Sequence, residues 1–281
     1  MGGKINAVSK KALALINSSH PIPCLSVASF ASLFSTASGN SWDTSLLIFL
    51  VVLLQQISVG LSNDWLDYKK DLMAGRTDKP AVNGTVKVSE LRAGAVAAAL
   101  LAQTTSFIFS PTVALVMFAM LAAGWAYNLG MKSNWTSVIP YGVGFGLIPI
   151  FVGQAATEPF WAQAWVVLAA ALLGISAHFA NVLPDIKADK LTGVRSLPHI
   201  LGQKLSALAI AITALSATVI VVTQSANLNP LAATIGLVSN LATVGLASLL
   251  SLRKDPPRSA FLLLILASLV NVVLLMLGSR S

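Results

Sequence analysis

Charge and sulfur are what this chain has least of. Only 10% of its 281 residues are Asp, Glu, Lys or Arg, against 56% hydrophobic, and mean hydropathy is +0.78. That balance excludes a soluble globular domain and makes the chain an integral membrane protein. The single cysteine, Cys24, excludes an internal disulfide and a thiolate metal cage, leaving packing as its expected role. Glycine loops of the Walker or dinucleotide type are missing, which excludes ordinary nucleotide binding. The net charge of +8 comes with no basic helix or aromatic-interleaved patch free of the apolar stretches, so nucleic acid is not an expected partner. No Ala-x-Ala-like site follows the first apolar stretch, so a cleaved signal peptide is not expected.

What the chain does have is apolar stretches near the spanning length of about 20 residues. They number about nine, at roughly 20–38, 42–61, 91–109, 112–130, 137–154, 160–182, 205–224, 231–250 and 259–278, the first being the weakest because it is rich in Ser and Pro. With the N-terminus on the cytoplasmic side, every Lys and Arg except Arg280 falls on that side, as topology bias requires. The expected fold is an all-α polytopic membrane protein, one domain over residues 1–281. The absence of a transit-like presequence leans towards a prokaryotic inner membrane.

Acidic residues number only ten, yet four of them sit in two copies of one pattern. Asn-x-x-x-Asp-x-x-x-Asp appears as Asn63, Asp67 and Asp71, and again as Asn181, Asp185 and Asp189. Steps of four residues drift only about 40° on a helix, so each trio is expected along one face, with Asp64 inside the first arc. Both patterns follow hydrophobic stretches and fall in the two longer, charged loops, 62–90 and 183–204. The resemblance continues beyond them, through Gly75-Arg76 to Pro80 and through Gly193 and Arg195 to Pro198. Two pseudo-repeated four-helix units and a ninth helix, nine transmembrane helices around a central cavity, are the architecture this implies.

Carboxylate and amide oxygens are hard donors that suit Mg²⁺, which binds few carboxylates and shares its shell with water and substrate phosphate. Asn63, Asp64, Asp67, Asp71, Asn181, Asp185 and Asp189 are the candidate metal ligands. Arg76, Lys79, Lys132 and Arg195 are the candidate cations for the rest of a diphosphate's charge. The plainer reading pairs the aspartates with Lys69, Lys70, Lys187 and Lys190 as solvated loop charges. Duplication at matched helix ends favours the metal site, since ionisable groups at membrane depth are costly. Asp43, Asp78 and Asp255 keep the plainer reading.

These residues resemble the UbiA-type intramembrane prenyltransferase superfamily. Its signatures Asn-Asp-x-x-Asp-x-x-x-Asp and Asp-x-x-x-Asp match Asn63-Asp64-Trp65-Leu66-Asp67-Tyr68-Lys69-Lys70-Asp71 and Asp185-Ile186-Lys187-Ala188-Asp189. Arg76-Thr77-Asp78-Lys79-Pro80 and Tyr127-Asn128-Leu129-Gly130-Met131-Lys132 are similar to further family segments, with Lys79 where a second Arg is common. Ser19-His20-Pro21-Ile22-Pro23 departs from the Arg-containing stretch that many members carry. The resemblance implies Mg²⁺-dependent transfer of a prenyl group from an allylic diphosphate to a lipid-soluble acceptor, with an aromatic quinone precursor as the leading expectation. Asp67, Asp185 and Tyr127 would be the catalytic residues, Tyr127 because an aromatic face stabilises a carbocation. A terpene cyclase and transfer to a non-aromatic acceptor are the alternatives within the superfamily. A cation-coupled transporter is the alternative outside it.

Other aromatic residues near the signatures, Trp65, Tyr68, Trp125, Tyr141 and Phe179, are expected to pack or to anchor at the interface. Gly142, Gly144 and Gly146, at alternate positions, suit close helix packing or a wall for the chain. His178, one turn before the second motif, is placed either against substrate or in a structural hydrogen bond. His20 is placed at the cavity mouth facing an acceptor, and neither it nor His199 is given a metal.

Overall fold

Short polar side chains and proline set where the helices begin. Ser41 Oγ accepts from Thr44 N at 3.2 Å, Ser110 Oγ from Val113 N at 3.1 Å and Asn229 Oδ1 from Leu231 N at 2.8 Å, with Pro111 and Pro230 occupying the first helical turn after the last two. The computed structural model describes residues 2–186, 189 and 193–279, with side chains from residue 9 to 278 among them. Lys187, Lys190 and Arg280 therefore lie outside the described residues. Among these the α-helices are α1 (Gly2–Ser18), α2 (Pro21–Ala37), α3 (Trp42–Met73), α4 (Val88–Ser106), α5 (Pro111–Leu129), α6 (Ile139–Gln154), α7 (Ala164–Val182), α8 (Leu197–Gln224), α9 (Pro230–Ser251) and α10 (Ser259–Ser279). No strand occurs among them.

Helices α2 to α10 fall on the nine expected stretches. Among the described residues seven helical segments are long and apolar enough to cross a membrane: α3, α5, α6 with the turn before it, α7 with the turn after it, α8, α9 and α10. The other two, α2 and α4, do not meet that measure. Seventeen residues rich in Ser make α2 short, and α4 carries Glu90, Arg92, Gln103, Thr104 and Thr105. At 32 residues and about 1.5 Å per residue, α3 is longer than a hydrocarbon core of about 30 Å requires. Its last turns project beyond the apolar zone, so the first motif is helical throughout and does not sit in a loop.

Packing repeats in the two halves. Helix α3 lies between α2 and α4 as α7 lies between α6 and α8, and α10 packs on α2 and α7 to close the ring. One core joins Val27, Ala31, Ile48, Val52, Met117 and Phe151; the other joins Phe179, Ile210, Ala214, Val244, Ala247 and Leu264. Small residues at these contacts let backbones approach, as membrane bundles require. A buried knot adds to the second half: Asn240 Nδ2 and Asn271 Nδ2 donate to Thr218 Oγ1 at 3.1 and 3.2 Å, tying α9 and α10 to α8.

Closest of all is the approach of α3 to the junction of α1 and α2. A Cβ on Gly60 would lie 2.1 Å from the Ser19 carbonyl oxygen. His20, next in the chain, has φ 56°, a left-handed conformation that non-glycine residues adopt at a cost.

Candidate active site

The second acidic motif differs in backbone from the first. Asn181 lies in the last turn of α7, and Pro184, which has no N–H to donate, lies in a 3₁₀ turn at Leu183–Asp185. Asp189 lies beyond that turn, so the second trio does not run down one continuous α-helical face. Both motifs nevertheless line one cavity of about 350 Å³, with Asn63, Asp67 and Asp71 from α3 and Asn181, Asp185 and Asp189 from the other half. Arg76, Lys79, Lys132 and Tyr127 line it as well. Away from these charges the wall becomes apolar, with Val27, Phe30, Met120, Phe145, Ile148, Phe261 and Leu264.

Most of the acidic groups already have an internal cation. Lys132 Nζ donates to Asp67 Oδ2 at 2.6 Å and to Asn63 Oδ1 at 2.9 Å. The side chain is buried, and burial lowers its pKa against the opposing pull of Asp67. Arg258 Nη2 lies 3.1 Å from both carboxylate oxygens of Asp185. Arg76 grips Asp78 through Nε and Nη2, each at 3.0 Å; this bond raises the guanidinium and holds the Asp78 carboxyl below its usual range. Asp189 lies 3.5 Å from His199 Nε2, and burial followed by the charges of Asp185 and Asp67 pushes its carboxyl up to about 6.

Two of the expected site residues are placed elsewhere. Asp64 is 3% exposed and is not on the cavity wall; it accepts from Lys79 Nζ at 2.6 Å and pairs with His20 Nε2 at 3.0 Å, anchoring those two side chains. Arg195 is exposed and off the cavity, because the extended segment after Gly193 turns Val194 and Ser196 inward and the residue between them outward. Sequence reasoning missed Arg258, which lies far from both motifs; Lys70, Asn128 and Tyr141 also line the cavity.

The aromatic wall is a packed group. Tyr127 meets Tyr141 edge-on with centroids 5.2 Å apart, and Tyr141 stacks with Phe145 at 6.3 Å. His178 is wholly buried behind them, 4.8 Å from the Tyr141 ring. Its Nε2 lies 3.0 Å from Ser137 Oγ, which also accepts from Leu197 N at 3.0 Å. Ser137 thus joins the 3₁₀ turn before α6 to α7 and to the start of α8. Trp65 and Trp125 pair edge-on away from the cavity, with Arg92 over Trp65, and Phe179 is core. The alternate glycines divide by helical phase: Gly142 and Gly146 face Ile175 and Ala171 of α7, whereas Gly144, on the opposite side, lines the cavity with nothing within 4 Å of a Cβ built on it.

Among the described residues no group of three or more His, Cys, Asp or Glu side chains is close enough to hold a metal by itself. Mg²⁺ does not need such a cage, since one or two carboxylates, waters and substrate phosphate complete its octahedron. Hard oxygen donors on both walls of one cavity, with cations beside them, fit that mode of binding.

The UbiA prenyltransferase family model matches residues 24–275. The chain is 28% identical over 167 residues to a digeranylgeranylglyceryl phosphate synthase of Thermococcus sibiricus, covering 57% of this chain and 57% of that one. It therefore spans little more than half the length of that relative. It is 26% identical over 230 residues to the bacteriochlorophyll synthase 33 kDa chain of Cereibacter sphaeroides, covering 78% of this chain and 74% of that one. In fold it is similar to a UbiA homologue from Archaeoglobus fulgidus solved bound to GPP and Mg²⁺, with a TM-score of 0.75 at 15% identity over 94% of this chain and 98% of that one.

Proposed function

The chain belongs to the UbiA prenyltransferase family, and from that premise we propose that it transfers a prenyl group from an allylic diphosphate to a lipid-soluble acceptor, with Mg²⁺ as cofactor. The observation that carries this reading is the meeting of two acidic motifs at the charged end of one cavity whose remaining wall is apolar. Asn63, Asp67, Asp71, Asn181, Asp185 and Asp189 are the residues to hold the ions, with Asp67 and Asp185 central. Bound Mg²⁺ supplies Lewis-acid stabilisation of the departing diphosphate. Lys132, Lys79 and Arg76 take the remaining negative charge, and their fixed placement means little reorganisation as the bond breaks. Tyr127, held edge-on against Tyr141 on the cavity wall, is the ring to offer its face to the allylic cation. The apolar wall receives the prenyl chain and keeps water from the cation.

For the acceptor, the aromatic quinone precursor stands beside a second reading. The relatives above are named for glyceryl phosphate and bacteriochlorophyll products, neither of them a quinone. The bias of basic residues towards one face supports a cytoplasmic N-terminus and a cytoplasmic acidic end.

The test is mass spectrometry of products from the purified protein in detergent with Mg²⁺, allylic diphosphates of several lengths, and a pool of aromatic and alcohol acceptors. A Mg²⁺-dependent prenylated species identifies both substrates. Diphosphate release without an adduct indicates cyclisation, and the absence of any turnover with every pair returns the chain to the carrier reading. In the same assay Arg76→Ala should raise the donor's KM by about 10-fold, the scale of one charge-assisted hydrogen bond, and leave the acceptor's KM unchanged. A change confined to the acceptor would remove Arg76 from the diphosphate.

A further inference from the structure

Arg258 stands at the charged end of the cavity because of what surrounds it in sequence. Pro256 and Pro257 stiffen the approach to α10, and the Arg258 carbonyl accepts from Phe261 N at 3.1 Å and Leu262 N at 3.3 Å, opening the helix's hydrogen-bond ladder. Arg258, Phe261, Leu264, Ile265 and Ser268 all line the cavity, so the guanidinium lies on the inner face of α10 at its mouth.

Its contact with Asp185 is unusual in form. A single nitrogen, Nη2, lies 3.1 Å from both Oδ1 and Oδ2, covering the side of the carboxylate that a divalent ion would take in a bidentate grip. The pair is also weakly held: Arg258 is 66% exposed and Asp185 35%, the regime in which solvent cancels most of an ion pair's attraction. A guanidinium carries five N–H donors in a planar fork that matches phosphate oxygens as well as carboxylate.

We propose that Arg258 exchanges partners during donor binding: it covers Asp185 in the substrate-free protein, and when a divalent ion takes that carboxylate it turns to the donor's diphosphate and becomes one of its ligands. This rests on the reading of the cavity as a metal and diphosphate site. Arg258 then opposes the metal when it arrives alone and supports it when diphosphate is present. The two ligands consequently assist one another's binding, and by linkage the assistance is equal in both directions.

Isothermal titration of the full-length protein in detergent tests this, first with Mg²⁺ alone and then with inorganic pyrophosphate in saturating Mg²⁺. Arg258→Ala should bind Mg²⁺ alone about 2- to 5-fold tighter, having lost an exposed competitor. It should bind pyrophosphate with Mg²⁺ about 10-fold or more weakly, having lost a charge-assisted ligand. Arg258→Gln should show the same opposed shifts, and either variant suffices should the other misfold. Two shifts of the same sign, or unchanged pyrophosphate affinity, reduce Arg258 to a structural ion pair and overturn the exchange. Failure of the wild-type protein to bind pyrophosphate with Mg²⁺ overturns the cavity reading together with it, whereas wild-type binding that both variants retain in full overturns the exchange alone.

Discussion

Asp185→Asn should remove turnover while leaving the thermal unfolding of the protein close to wild type. The substitution keeps shape and removes one full charge from a position that the proposed chemistry needs at maximum charge. A loss of about 10³-fold in kcat is the scale at which single preorganised electrostatic groups act. The stability cost is small because the partner, Arg258, is 66% exposed and is rehydrated when released. Asp67→Asn should lose as much activity for a different total cost. Its partner Lys132 is only 8% exposed, and removing the charge leaves a buried ammonium with neutral amide oxygens, Asn63 Oδ1 among them, in place of its carboxylate partner. Breaking a buried pair from one side costs about 3–5 kcal/mol, so Asp67→Asn should melt measurably below Asp185→Asn. Turnover and unfolding in detergent, measured on both variants, check the pair of claims. Near-normal activity in either one would remove that carboxylate from the metal site.

A loss of stability of similar size should come from Gly60→Ala, with no charge involved. One methyl group at this position would stand 2.1 Å from the Ser19 carbonyl oxygen and 2.7 Å from its carbon, both backbone atoms that no rotamer change can move. Either α3 withdraws or the Ser19–His20 junction shifts, and the junction is held by Ser19 Oγ donating to the Ile16 carbonyl and by His20 meeting Asp64. Overpacking of this kind costs about 3 kcal/mol. Gly144→Ala is the matched control, as open space surrounds its Cβ. Unfolding curves in which Gly60→Ala and Gly144→Ala coincide would contradict the close packing of α3 on the α1–α2 junction.

Much of this arrangement was legible in the residue pattern, for identifiable reasons. A spanning helix is written in some 20 consecutive residues, so the positions of α2 to α10 could be read locally. The four-residue spacing of Asn63, Asp67 and Asp71 likewise carried their shared face, because α3 continues unbroken through them. At Asp185 the helix narrows to a 3₁₀ turn containing Pro184, a change of form that the spacing could not show, yet Asn181, Asp185 and Asp189 still line one cavity. Asp64 shows a different limit: a carboxylate one position from a ligand face can be captured by cations from distant segments, here His20 and Lys79. Arg258 had no local signature at all. Its place follows from ring closure by α10 against α2 and α7, a contact between opposite ends of the described chain.

The division of labour along one turn of α6 bears on how the substrate range of such a protein can change. Gly142 and Gly146 are committed to α7, where any added atom meets a neighbour, but Gly144 faces the cavity and adds nothing to the packing. A larger side chain there would occupy cavity space and leave less for the hydrocarbon. A change at this one position in α6 would therefore reshape the cavity without touching the acidic motifs or the contacts that hold the helices together.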